Sequence, residues 1–179
     1  MNHPGSQKNQ RRISVVDILK PSSGRKKDPF KWVISGVNGV GKTTLCTQMP
    51  KPLFIDLEGG TGYLDVNRLE AKTYADVLDI FNQIKEKDHQ YKTVVLDSLD
   101  WFETIMEESI VAEAAQKKMG IEDIADIPNF RGYSLSQSKM KSFLNLCSEV
   151  VDTGVNIALI CHTAPKEITS DPLIPAHQK

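Results

Sequence analysis

Cysteine is scarce, with three residues in 179, at positions 46, 147 and 161. They lie far apart and form no CxxC pair, which excludes a zinc ribbon or a disulfide framework and fits a reduced, cytoplasmic setting. Long apolar runs are lacking too. None approaches the roughly 20 residues of a membrane helix, so no membrane partner is expected. The opening "MNHPGSQKNQRR" has no apolar stretch of the kind a secretory signal needs. Arginine is thin in the second half, where only Arg131 follows Arg68. Strong net charge is also missing, but the formal value of −1 hides an asymmetry. Residues 1–31 hold eight Lys/Arg against two Asp, and the remainder is acidic by about the same margin. A basic arm on an acidic body can touch nucleic acid; a solvated, flexible leader is the other reading.

What is present is enough for one globular domain with a real core: 40% apolar and 25% charged residues over 179 positions. Residues 1–29 are polar, with "PSSGRKKDP" as a linker and "ISVVDIL" (13–19) as a short apolar piece that can pack on the body. "FKWVISG" is a buried-strand candidate. Residues 42–49 can run as a helix that "PKP" stops. "LFIDL" is the second strand, and "GGTGYLDVNRL" is a glycine-bearing loop leading into a short extended piece. Val77, Ile80, Phe81 and Ile84 recur at helical spacing over 73–87, with Thr73 and Asp76 marking the start. "KTVVLD" (92–97) is a third strand. A long helix over 100–119 is closed by Gly120. Residues 121–133 are irregular. "SLSQSKMKSFLNLCSEVVDTG" holds another helix, and "VNIALIC" (155–161) is a fourth strand. The alternation predicts an α/β fold, a parallel sheet with helices on both faces and right-handed crossovers.

The motif with the most chemistry is "GVNGVGKT", Gly36–Val37–Asn38–Gly39–Val40–Gly41–Lys42–Thr43, with Thr44 following. It fits GxxxxGK[ST] at every fixed position and sits between a strand and a helix, the context a phosphate-binding loop requires. The glycines let the backbone approach an anion closely. Backbone N–H groups point at phosphate oxygens. Lys42 reaches the β- and γ-phosphates of ATP, and the Thr43 hydroxyl can ligate Mg²⁺. "TVVLDS" supplies the second acid: Asp97 ends an apolar strand downstream and suits the Mg²⁺ shell, through water. Use of Asp97 or Ser98 as a helix cap is the alternative, although Asp100 is the better-placed cap for the helix that follows.

Hydrolysis also needs a polarised water. The residue after Asp97 is Ser98, not Glu, so the carboxylate must come from elsewhere. Ligands of parallel sheets bind at the carboxyl ends of strands, and Glu58 closes the strand after the phosphate-loop helix. Asp56 lies on the same strand face by period two and could tie the sheet end to the phosphate loop.

The order phosphate loop, "FIDLE", "VVLDS" resembles the RecA-like ATPases. "GVNGVGKTTL", "KPLFIDLEGGTGYLDVNRL", "YKTVVLDSLDWFE" and "ALICHT" are more closely similar to phage ATP-binding proteins of the Sak4 type, over residues 30 to about 165. That resemblance implies a RecA-like P-loop NTPase core that hydrolyses ATP. It implies a role in DNA recombination, single-strand annealing or repair, single-stranded DNA as a ligand, a single-strand DNA-binding protein as a partner, and homo-oligomers with ATP sites near subunit interfaces. Glu58 becomes the water-activating base; a solvated strand-end acid is the alternative. His162, after the fourth strand, takes the place of a γ-phosphate sensor, commonly Gln; a histidine bound to a backbone carbonyl is the alternative. DNA-contact loops correspond to 119–133 and 163–176. Arg131 with Phe130 and Tyr133 suits stacking and backbone contact, with Lys139 and Lys141 close behind, whereas Glu122, Asp123 and Asp126 oppose a strong phosphate groove. Tyr63 and Arg68 could face a neighbouring subunit. Cys161 reads as core, not nucleophile.

The likeness ends where RecA-like cores usually continue. The core spans 30–165, residues 166–179 read as a tail, and the C-terminal strands that would cover the outer edge of the phosphate-loop strand are lacking. Two rival functions remain: a P-loop kinase for a small molecule, for which the arginines of a lid are few, and a nucleotide-gated binding module with little turnover.

Overall fold

In the computed structural model the described residues are 23–24 and 28–163. The expected packing of 13–19, the basic arm apart from residues 23–24 and 28–29, and the tail with its second DNA loop beyond Thr163 lie outside them.

Five strands form one parallel sheet in the order β1-β5-β4-β2-β3. They are β1 (Lys31–Gly36), β2 (Pro52–Asp56), β3 (Asn67–Glu70), β4 (Thr93–Asp97) and β5 (Asn156–His162). The four strands expected from apolar runs are all there. The short extended piece before Thr73 is β3, an edge strand beside β2. Helices α1 (Lys42–Thr47), α2 (Tyr74–Glu86), α3 (Leu99–Ala115) and α4 (Arg131–Asp152) alternate with them.

Strand periodicity sorts the core into two layers. Leu53, Ile55, Val94, Leu96, Ile157 and Leu159 face one way and pack on Val77 and Phe81 of α2, Phe102 and Met106 of α3, and Phe143 and Cys147 of α4. Phe143 is the hub: its ring lies 5.0 Å from Phe81 and 4.1 Å from Phe102. Phe54, Val95, Ala158 and Ile160 face the other way, onto Cys46 of α1 and Met49. Three helices therefore cover one face and, among the described residues, α1 covers the other. β1 pairs only with β5 there, and Trp32 and Val33 are 51% and 60% exposed. Among the described residues the phosphate-loop strand is thus an edge strand.

Two helix boundaries differ from the sequence expectation. α3 stops at Ala115, four residues before the predicted end, because Lys117 and Lys118 both donate their backbone N–H to Ala114 and turn the chain. The turn brings Ile121, Ile124 and Ile127 onto Ile110, and that burial outweighs a further helical turn. Gly120, at φ 79°, belongs to this turn and does not close the helix. α4 starts at Arg131, directly after Asn129 and Phe130, which both take left-handed backbone. Gly132 permits that start, since a Cβ there would meet the carbonyl of Ile124. Arg131 and Tyr133 consequently stand on the first turn of a helix rather than in a loop.

Candidate active site

The parallel register brings the carboxyl ends of four strands level. Asp56 of β2 is opposite Asp97 of β4, and Gly36 of β1 is opposite His162 of β5. Residues 20 to 126 positions apart thereby share one edge of the sheet, which is why the expected site residues meet there.

The phosphate loop leaves β1 at Gly36 and re-enters helix at Lys42. Gly39 and Gly41 hold φ of 77° and 95°, which side chains with a Cβ rarely adopt. Gly36 is close-packed instead: a Cβ there would lie 3.1 Å from Val40 Cγ1. Gly41 caps α1 without a side-chain hydrogen bond, so the first N–H groups of that helix are not consumed by a cap. Lys42 is buried, and its Nζ donates to the carbonyls of Gly36 and Val37 at 2.9 and 3.0 Å. The ammonium is held over the loop that would cradle phosphate. Val37 and Val40 are exposed on the loop's outer side.

The Thr43 hydroxyl donates to Asp97 Oδ2 at 2.7 Å across 54 residues of sequence. Burial pushes the Asp97 carboxyl above the usual carboxylate range. The Thr43 hydrogen bond opposes that shift, Glu58 and Asp56 reinforce it, and His162 relieves part of it. An excess of negative charge beside a paired hydroxyl and carboxylate suits a divalent cation, so Thr43 and Asp97 fit the Mg²⁺ that accompanies a nucleotide. Among the described residues no group of three or more His, Cys, Asp or Glu forms a metal cage. One hydroxyl ligand, a carboxylate reached through water and phosphate oxygens would match the habit of Mg²⁺ at nucleotide sites.

Glu58 stands just past β2. Its Oε1 accepts from the Ser98 hydroxyl at 2.5 Å and lies 3.9 Å from His162 Nδ1. Ser98, fully buried, also caps α3 by accepting from Trp101 N–H at 3.4 Å. The expectation that Asp100 caps this helix is corrected. Ser98 has the extended backbone of a cap, whereas Asp100 lies one position inside the helix. Asp100 Oδ2 instead accepts from the backbone N–H of His162 at 2.7 Å and from its ring Nδ1 at 3.1 Å. His162 is the last residue of β5, not the first beyond it.

Asp56 is also corrected. It does not tie the sheet to the phosphate loop but builds the loop that carries Glu58. Its Oδ1 accepts from the N–H groups of Glu58, Gly59 and Gly60 at 3.2, 2.7 and 3.2 Å. Its Oδ2 accepts from Thr61 N–H at 2.9 Å and from the Thr61 hydroxyl at 2.5 Å. Burial opposes its charge, but the donors of Thr61, Gly59 and Gly60 outweigh it and hold the carboxyl below its usual range.

The candidate DNA residues are not brought together. Arg131 and Lys141 are both exposed but ten positions apart along α4. Lys139 is engaged within the chain: its Nζ donates to Glu113 at 2.8 Å and Ser109 at 3.1 Å and lies over the Tyr74 ring. Asp123 and Asp126, set against DNA contact in the sequence, are committed to a capping box. Tyr63 is exposed, whereas Arg68 donates to the Leu64 carbonyl. Cys46 and Cys147 are pushed up to about 12 by burial, and burial also raises Cys161. None of the three has the character of a nucleophile.

Sequence reasoning missed Ser98 and Asp100 as partners of Glu58 and His162. The only signal was their position directly after Asp97, at the carboxyl edge of the sheet.

A comparison with protein families finds the AAA domain matching residues 28–175. The chain belongs to the AAA domain family. No curated protein matches it. The family consists of P-loop proteins that bind nucleotide, usually with Mg²⁺, and are generally ATPases, which agrees with the loop, the Thr43–Asp97 pair and the five-stranded parallel sheet. The AAA domain match also runs past β5, so residues 164–175 belong to the same family region. No helix among the described residues is long and apolar enough to cross a membrane.

Proposed function

We propose that this AAA domain protein is a Mg²⁺-dependent ATPase of RecA-like type that binds single-stranded DNA and acts in phage recombination, annealing or repair. The observation that carries the enzymatic part is the grouping of Thr43–Asp97 and Ser98–Glu58–His162 at one sheet edge beside Lys42. Lys42 binds the β- and γ-phosphates. Thr43 and, through water, Asp97 would hold the Mg²⁺, which when bound would neutralise charge on the phosphate oxygens. Glu58 accepts a proton from water as that water's oxygen attacks the γ-phosphorus and the bond to ADP breaks. Among the described residues its second oxygen has no hydrogen-bond partner and can face the water, while Ser98 holds the first. His162 meets the γ-phosphate and reports its loss.

The DNA part is supported by the surface around the start of α4. Phe130 is 81% exposed on a left-handed backbone, with Arg131 exposed beside it and Tyr133 about half-exposed. An exposed arginine close in sequence to two exposed rings is suited to phosphate contact beside base stacking. Fluorescence anisotropy with labelled oligo-dT tests it, with and without a non-hydrolysable ATP analogue. The expected result is salt-sensitive binding that tightens with nucleotide and weakens about tenfold or more in Phe130→Ala and Arg131→Ala, since each stacked base contributes roughly 1–3 kcal/mol. Absence of binding at low salt in both nucleotide states would leave a nucleotide hydrolase without the recombination role.

A further inference from the structure

We propose that Asp100 is the positioning residue of His162: it fixes the ring's tautomer and plane so that Nε2 is the only ring nitrogen left to meet the terminal phosphate. This rests on the reading of His162 as the phosphate sensor.

A carboxylate oxygen can only accept hydrogen bonds. Asp100 Oδ2 lies 3.1 Å from His162 Nδ1 and 2.7 Å from its backbone nitrogen. Both nitrogens therefore donate to one oxygen, and Nδ1 carries the hydrogen. Glu58 Oε1, at 3.9 Å from the same Nδ1, is beyond hydrogen-bond reach and already holds the Ser98 hydroxyl. The Nδ1 edge of the ring is thus consumed, and its backbone anchor stops the last residue of β5 from rotating away.

The helix does not need Asp100 for capping, because Ser98 does that. The carboxylate still gains from the N-terminal turn of a 17-residue helix, whose dipole favours a negative group there. The consequence is a tether of 62 residues in sequence between the end of β5 and the segment that carries Asp97 and Ser98. The short run Asp97–Ser98–Leu99–Asp100 then serves three different parts of the site: the metal through Asp97, the base through Ser98 and the sensor through Asp100.

The test uses the ¹⁵N-labelled full chain, as wild type, Asp100→Ala, Asp100→Asn and His162→Ala, over a pH series that ends where the ring nitrogen shifts no longer change, so that the neutral ring is read. Long-range ¹H–¹⁵N correlations read the tautomer of the ring that disappears in His162→Ala. The expected result is a protonated Nδ1 in the wild type and a shift toward protonated Nε2 in Asp100→Ala, with Asp100→Asn keeping the wild-type tautomer through its carbonyl oxygen. Single-turnover hydrolysis should fall about tenfold or more in Asp100→Ala with nucleotide affinity within twofold. The double variant Asp100→Ala/His162→Ala should lose no more than His162→Ala alone. A wild-type tautomer retained in Asp100→Ala, or losses that multiply in the double variant, overturns the proposal. If the wild type itself does not turn over, the ATPase reading fails, while the tautomer still decides the role of Asp100 in holding the ring.

Discussion

Replacing Asp56 by alanine should loosen the catalytic loop and destabilise the whole domain, and the size of the loss follows from which donors water can reach. Five hydrogen bonds end on this carboxylate, which is only 4% exposed. Glu58, Gly59 and Gly60 are exposed, so their N–H groups can turn to water. Thr61 is fully buried, and its N–H and hydroxyl would be left without an acceptor. A buried donor stripped of its partner costs about 1–3 kcal/mol, which gives about 2–6 kcal/mol for the pair. Release of the carboxylate from its own burial offsets part of that, so about 2–4 kcal/mol is the expected loss. This is a large share of the roughly 5–15 kcal/mol that holds a domain together. Asp56→Asn keeps one acceptor oxygen and should fall between wild type and alanine. Urea unfolding of the three proteins at pH 7 measures it. The pH dependence has a definite sign. Because the folded carboxyl lies below its usual range, its contribution is complete above the ordinary value near 3.9 and is lost as pH falls through the lower, folded value. The gap between wild type and Asp56→Asn should therefore close in acid. A loss under about 1 kcal/mol in Asp56→Ala, with an unchanged denaturant slope, would refute the argument that Thr61 depends on this oxygen.

Two further substitutions have outcomes opposite to a first guess. Asp97→Asn should leave the nucleotide-free protein as stable as wild type or more so, because burial and the carboxylates of Glu58 and Asp56 work against its charge. The gain should build up as pH rises above the ordinary carboxylate value near 3.9 and be complete above the raised, folded value, and Mg²⁺-dependent nucleotide affinity should drop about 10–100-fold; differential scanning calorimetry and a Mg²⁺ titration measure the two effects. Gly132→Ala would gain up to about 1 kcal/mol if helix propensity ruled. A Cβ there runs into the backbone carbonyl of Ile124, so a loss of about 1–3 kcal/mol is expected in urea unfolding.

The parts of the site that were legible beforehand are those encoded by contiguous residues. Gly36–Thr43 carries its own geometry in its glycine spacing, and the Thr73–Asp76 capping box is present as its spacing requires. Asp97 was legible because the apolar run before it is buried throughout, leaving the first polar residue at the sheet edge. Asp100 was read as the cap in place of Ser98 because both residues can cap a helix, and only the register of β4 beside β5 shows that Asp100 reaches His162 instead. Asp56 was misassigned for a similar reason. Period two places it on a face, but the glycines at 59 and 60 let the chain curl back so that its donors converge on that carboxylate instead of the phosphate loop. The end of α3 and the start of α4 depend on Ile110 meeting Ile121, Ile124 and Ile127, contacts that no helical period contains.

The central claim is that Glu58 activates the attacking water, and Glu58→Gln tests it with little disturbance, because the amide oxygen can still accept from Ser98. Single-turnover hydrolysis of γ-labelled ATP with Mg²⁺, beside equilibrium ATP binding, is the measurement. The account predicts nucleotide affinity within a few-fold of wild type and a hydrolysis rate lower by about 10²–10⁴, the usual contribution of a general base. A Glu58→Gln protein that hydrolyses ATP within about tenfold of wild type, well short of that range, would remove Glu58 from the chemistry.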